Sequence, residues 1–313
     1  MRPILLMAIL AARRYNKKHN VPSWRKITDE EVRKAYEENE NRNYDVYSVD
    51  EKLRKGLNIE KIDLPNCGAW YVSLDKNPKN KVLYYIHGGG FVAGSSRDTF
   101  GFISYAVKHF GYNIFSIDYR LAPNHKCLET IEDCFDGYKY LLRDRNPKDI
   151  ILIGDSAGGN LVFALPQKLK DEKIELPGGI ISCSPVTQFI HYPYSYYECS
   201  MKTDYGITFG INDTADFYRG ELDRSHPYVS PLLGDLSDYP PTYLDASNRE
   251  SLRDESRMMY VLLKEQGGYV EYHELRDFFH AMLTSYKHGF VRREEYPLII
   301  NFINKVFNNK IDN

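Results

Sequence analysis

The chain has 313 residues, enough for two average domains or for one large α/β domain with additions. Its 41 Lys and Arg against 43 Asp and Glu leave a formal net charge of -2 and no basic stripe, which argues against nucleic acid as a partner. The five cysteines, Cys67, Cys127, Cys134, Cys183 and Cys199, are odd in number and widely spaced in a chain too long to need disulfide staples, so reduced thiols and a cytoplasmic location are expected.

The opening run "MRPILLMAILAA" is too short to span a bilayer. Arg13 and Arg14 follow it in place of a small-residue cleavage site, so it reads as an amphipathic helix packed on the protein, with membrane association not expected. Residues 1–50 read as an N-terminal helical lid segment. Its stretch "TDEEVRKAYEE" opens on a capping box in which Thr28 and Glu31 satisfy each other's free amides. This segment is charged and has little apolar surface of its own, so it must lean on another part of the chain.

From Leu57 the pattern turns to short apolar runs alternating with helical periods. The runs are "GLNIEKIDL", "AWYVSL", "KVLYYIHGGG", "YNIFSIDYR", "DIILIGDS", "GGIISCSP", "PPTYLDAS" and "YVEYHEL". Such alternation predicts a mostly parallel sheet covered by helices on both faces. A helix from about Leu128 carries the apolar face Leu128, Ile131, Phe135, Tyr138 and Leu142. Cys127 and Cys134 fall on that helix without paired ligand spacing, so they read as core and no metal site is expected. A second helix follows Ala157, with Leu161, Val162, Leu165 and Leu169, and Pro166 should kink or shorten it. A third runs from Asp254 to about Gln266, and a closing helix carries Leu298, Ile299, Phe302, Ile303 and Val306. The catalytic core thus occupies residues 51–185 and 226–313, interrupted by the aromatic insertion 186–225 ("FIHYPYSYYE"). A long excursion of this kind is usually functional, and with residues 1–50 it could form a lid over the ligand-binding edge of the sheet. The alternative is that its tyrosines fill a satellite core.

Two stretches carry chemistry. In "IILIGDSAGGN" a buried strand ends on Ser156, flanked by Gly154 and Gly158. An alcohol needs a base to take its proton, so a nucleophilic serine must stand clear of its backbone on a sharp turn, where only small residues fit two positions either side. The N–H of Ala157, at the start of the following helix, becomes a donor to a developing oxyanion. In "YYIHGGGFVAGSS" three glycines follow a strand and His87, so Gly88 and Gly89 could complete an oxyanion hole.

"HGGGF", "DYRLAP" (Asp118 to Pro123) and "GDSAGG" (Gly154 to Gly159), in this order over about residues 80–290, resemble the hormone-sensitive-lipase branch of the α/β-hydrolase fold. The resemblance implies an eight-stranded α/β-hydrolase sheet, a helical lid and carboxylic ester hydrolysis. Residue by residue, it implies His280 in "DFFHAML" as the base, with Ala281 and Met282 where the family usually has glycine and phenylalanine. It implies Glu250 in "SNRESLRDES" as the acid in place of the commoner aspartate. Asp254 then reads as a cap of the next helix, while Asp245 and His273 lie inside strands. Asp118, Tyr119 and Arg120 read as structural, fixing loops beneath the oxyanion segment. The chain order Ser156, Glu250, His280 is that of the α/β-hydrolases.

The expectation is a serine carboxylesterase for small or short-acyl esters, without metal or organic cofactor, with substrate contacts from Phe91, Tyr192 and Tyr194 and possible assembly with its own copies. A non-catalytic small-molecule binding protein on the same fold, an amidase, and a deacetylase of acylated sugars stand as alternatives.

Overall fold

The structure is a computed structural model that describes residues 29–199, 211–276, 280–281, 284 and 296–311. The expectations for the N-terminal apolar run and for the Thr28 capping box lie outside the described residues.

The eight apolar runs form eight strands of one sheet: β1 (Asn58–Asp63), β2 (Gly68–Ser73), β3 (Val82–Ile86), β4 (Asn113–Asp118), β5 (Ile150–Asp155), β6 (Gly179–Cys183), β7 (Thr242–Ser247) and β8 (Val270–Leu275). Their spatial order is β1-β2-β4-β3-β5-β6-β7-β8. β2 runs antiparallel to β1 and β4, and every other neighbouring pair is parallel. The antiparallel β1 and β2 need only a tight turn, closed by Leu64 N–H on Cys67 O at 3.0 Å, whereas the parallel strands need helical crossovers. β3, β4, β5, β6 and β7 are buried at every position, as strands covered on both faces must be.

The described helices are α1 (Asp29–Glu40), α2 (Glu51–Arg54), α3 (Phe100–Phe110), α4 (Cys127–Leu141), α5 (Ala157–Asp171), α6 (Tyr194–Cys199), α7 (Ile211–Arg219), α8 (Arg253–Glu265) and α9 (Tyr296–Phe307). Strand side chains alternate between two cores. Val82, Tyr84, Ile86, Ile150 and Leu152 meet α4, α5 and α8 on one face, while Leu83, Tyr85, Ile151 and Ile153 meet α3 and α9 on the other.

Three local expectations need correction. On α4 the buried stripe is Cys127, Ile131, Cys134, Tyr138 and Leu141, and Leu128 is 54% exposed. Helical spacing from Cys127 reaches each of those positions, so the thiol takes the core place expected of the leucine. None of the five cysteines is in a disulfide. α5 runs continuously through Pro166, because Leu165, Pro166 and Leu169 are all buried and their packing offsets the one missing amide. α8 starts at Arg253 with Leu252 at its N-cap, so Asp254 is not the cap. Its carboxylate instead accepts Ser195 N–H at 2.8 Å and pairs with Arg253 at 2.9 Å, anchoring the insertion to the first turn of α8.

The charged N-terminal segment does lean on the core. Asn39 donates to Ala122 O at 2.8 Å, Asn124 donates to Glu40 at 2.6 Å, and Arg42 pairs with Asp98 at 2.8 Å. α1 is thereby tied to the loop between β4 and α4.

Candidate active site

The turn that carries Ser156, the candidate nucleophile, follows from its glycines. A Cβ on Gly154 would lie 2.4 Å from Gly158 O, and one on Gly158 would lie 2.0 Å from Ile86 O, both against backbone that cannot move aside. With those positions empty the chain folds so tightly that Ser156 adopts φ 54° and ψ -117°, a conformation disfavoured for a residue with a side chain. The turn is held open by Ser156 N–H on Cys183 O at 2.9 Å, and Ser156 O accepts Asn160 N–H at 3.0 Å as α5 begins.

The triple-glycine loop packs directly beside it. Tyr119 stacks on the His87 ring at 4.3 Å and donates its hydroxyl proton to His87 O at 2.8 Å, which gives the structural role expected of this motif a concrete contact. Asp118 accepts Ser96 N–H at 2.6 Å and Trp70 Nε1–H at 3.0 Å, and Arg120 grips Asp133 at 2.8 Å. These three residues therefore brace the loops around the site. His87 itself is buried, with Nδ1 2.8 Å from Gly88 O, and burial holds its pKa down to about 4.

Of the three amides expected to face an oxyanion, Gly88 N–H is turned to Asp155 Oδ1 at 3.3 Å. Asp155 also accepts the Tyr85 hydroxyl proton at 2.7 Å. This corrects the expectation for Gly88: the carboxylate beside the serine uses that amide to pin the glycine loop to the nucleophile turn. The amides of Gly89 and Ala157 make no hydrogen bond with any described residue. Gly89 sits at φ 126°, where a Cβ would meet Ala93 O at 2.0 Å, so only glycine lets this backbone pass.

His280 and Glu250 come together from separate loops after β8 and β7. His280 Nδ1 lies 2.7 Å from Glu250 Oε2, and Glu250 is buried. The other carboxylate oxygen, Oε1, accepts the Ser184 hydroxyl proton at 2.8 Å and Ser247 N–H. Asp245, another acid of this stretch, stays inside β7, and burial raises its pKa to about 8. His273 lies in β8 beside Glu271. Burial pushes the Asp155 pKa up, and a charge on His280 counteracts that push, so the histidine loop and the serine turn are coupled electrostatically; Thr284 donates its hydroxyl proton to Ala281 O at 3.0 Å. The arrangement supplies a strained hydroxyl, an imidazole oriented by a buried carboxylate, and two open amides.

The proposed substrate contacts fare differently. Phe91 is 1% exposed and its ring stacks on Tyr218 of α7 at 3.8 Å, so it packs the insertion onto the glycine loop and has no open face for a ligand. Tyr192 and Tyr194 are exposed, the latter 70%, at the start of α6. Glu255 holds this insertion from below, accepting Thr187 N–H at 2.8 Å and the Tyr196 hydroxyl proton at 2.6 Å, and burial raises its pKa to about 7. Ser184, Asp155 and Thr284 were not singled out from the sequence. The available signal for Ser184 was its place at the C-terminal end of the strand next to β5, where open α/β sheets build their sites.

A family model described as "alpha/beta hydrolase fold" matches residues 83–284, well over half the chain. An esterase of Acinetobacter venetianus is 31% identical over 182 residues, 56% of this chain and 59% of that protein's length. An acetyl-hydrolase of Streptomyces hygroscopicus is 28% identical over 221 residues, 70% of this chain and 74% of that protein. Among solved structures, "an esterase from the bacterial hormone-sensitive lipase (HSL) family" superposes with a TM-score of 0.79 at 24% identity, over 98% of each chain, a likeness of fold. The chain belongs to the α/β-hydrolase fold family. Its glycine-loop and serine-turn signatures resemble those of the hormone-sensitive-lipase branch, from which the solved neighbour above comes. Among the described residues no helix is long and apolar enough to cross a membrane.

Proposed function

We propose that the protein is a serine carboxylic ester hydrolase acting on small or short-acyl esters. His280 takes the proton of Ser156, the alkoxide attacks the ester carbonyl, and the amides of Gly89 and Ala157 receive the oxyanion. The protonated imidazole gives its proton to the departing alcohol. Water, activated by the same imidazole, then releases the acid from the acyl-enzyme. Glu250 accepts Nδ1–H throughout and stabilises the imidazolium. The observation that carries this reading is the 2.7 Å bond between His280 and a buried Glu250, together with the strained turn that holds Ser156. A chain that served only to bind a ligand would have no use for an imidazole oriented in this way.

The insertion and the N-terminal segment act as a lid in this reading, since α6 and α7 rest on α8 and on Phe91 of the glycine loop. The exposed tyrosines of the insertion and the name of the Streptomyces relative favour acetyl esters, including acetylated sugars, as a substrate class to be compared with longer acyl groups.

Hydrolysis of p-nitrophenyl acetate and butyrate by wild type and Ser156→Ala tests the proposal. Loss of turnover and of fluorophosphonate labelling in the variant is expected. Equal rates in the two proteins would end it.

A further inference from the structure

We infer that Ser184 is a positioning residue for the catalytic pair, acting through Glu250 and the histidine loop; this rests on the Ser156, His280 and Glu250 reading. Ser184 directly follows β6 and is buried. Its hydroxyl donates to Glu250 Oε1 at 2.8 Å and accepts the N–H of Ala281, the residue after His280, at 3.0 Å. One oxygen atom therefore holds both ends of the bond between His280 and Glu250.

A glutamate needs such a hold more than an aspartate does. Its extra methylene adds a torsion with several staggered wells, and only one of them brings Oε2 to Nδ1. Ser184 O–H and Ser247 N–H together occupy Oε1, which leaves Oε2 to the imidazole. The hydroxyl's single proton goes to the carboxylate and one of its two lone pairs takes the Ala281 amide.

The backbone adds an independent argument. Ser184 has φ 51°, in the left-handed region, and its N–H donates to Asp245 O at 2.8 Å. Glycine adopts that conformation without strain, so what serine contributes here is the hydroxyl.

The test compares Ser184→Gly, which removes the hydroxyl and relieves the backbone, with Ser184→Ala, which removes it and keeps the strain. Misplacement of a catalytic group by a fraction of an ångström to an ångström predicts a fall in kcat of about 10- to 100-fold for p-nitrophenyl butyrate in both variants, with KM changed by less than about threefold. The downfield proton resonance of His280 Nδ1–H should be lost or broadened in both. In a Glu250→Gln background the added Ser184→Gly change should cost less than about twofold, because the two act as a unit. A folded Ser184→Gly protein with kcat within about twofold of wild type and an unchanged resonance would overturn the inference while Ser156 still labels with fluorophosphonate. Absence of that label in the wild type would instead refute the serine reading itself.

Discussion

Acid should weaken this protein through His87, by an amount the structure sets. The ring is fully buried against Tyr119, and Nδ1 faces Gly88 O at 2.8 Å. A carbonyl oxygen only accepts, so the neutral ring carries its proton on Nδ1 and leaves Nε2 bare, buried and without a hydrogen-bond partner among the described residues. Protonating Nε2 creates a cation away from water, which is why burial holds the pKa at about 4 when the unfolded value is 6.5. Between those values the unfolded chain binds a proton that the native chain refuses. The contribution is therefore fully present above pH 6.5, falls as the pH drops towards 4, and is flat below that. At 1.36 kcal/mol per unit the loss amounts to about 3 kcal/mol. Buried acids slope the other way across the same range: Asp118, raised to about 6, Glu255 to about 7 and Asp245 to about 8 keep protons that the unfolded chain releases. The effect must therefore be read as a difference. Urea unfolding of wild type and His87→Gln between pH 7 and pH 4 should show wild type losing about 3 kcal/mol relative to the variant. A gap that stays constant within about 1 kcal/mol would refute the argument that the imidazole is buried neutral.

Glu250→Gln keeps the shape of the acid but not its charge, and should lower kcat about 10³- to 10⁴-fold in steady-state ester hydrolysis; activity within about tenfold of wild type would remove Glu250 from the mechanism. Gly158→Ala forces a methyl to 2.0 Å from Ile86 O and should destabilise the fold by about 3 kcal/mol or more in urea, whereas Gly68→Ala, with nothing within 4 Å, should change it by less than about 1 kcal/mol. Tyr119→Phe strips the hydrogen bond from His87 O and should cost about 1–3 kcal/mol of stability by thermal or urea unfolding; an unchanged midpoint would count against that bond.

The sheet was legible because each strand is a short apolar run and each crossover carries helical periodicity, signals that depend only on neighbouring residues. The nucleophile turn was legible for a similar reason: the clash that demands Gly154 and Gly158 is made within a few residues. What escaped the sequence depends on distant contacts. Phe91 is expected from the sequence to contact substrate, but its ring is claimed by Tyr218, far along the chain. Asp254 was read as a cap because the local pattern allows it, while the amide it accepts belongs to Ser195, 59 residues away. Ser184 is one serine among many until Glu250, 66 residues later, reaches its hydroxyl. Gly88 was expected to face the oxyanion, and only the packing of Tyr85 beneath Asp155 shows where its amide points.

The separation of the reacting groups along the chain has a consequence for the protein's own birth. A ribosome releases the turn bearing Ser156 well before Glu250 and His280, which are 30 residues apart from each other and follow β7 and β8. On the proposed mechanism, until β7 and β8 dock the alcohol is as sluggish as any other in the nascent polypeptide, and the growing chain leaves esters in its surroundings untouched.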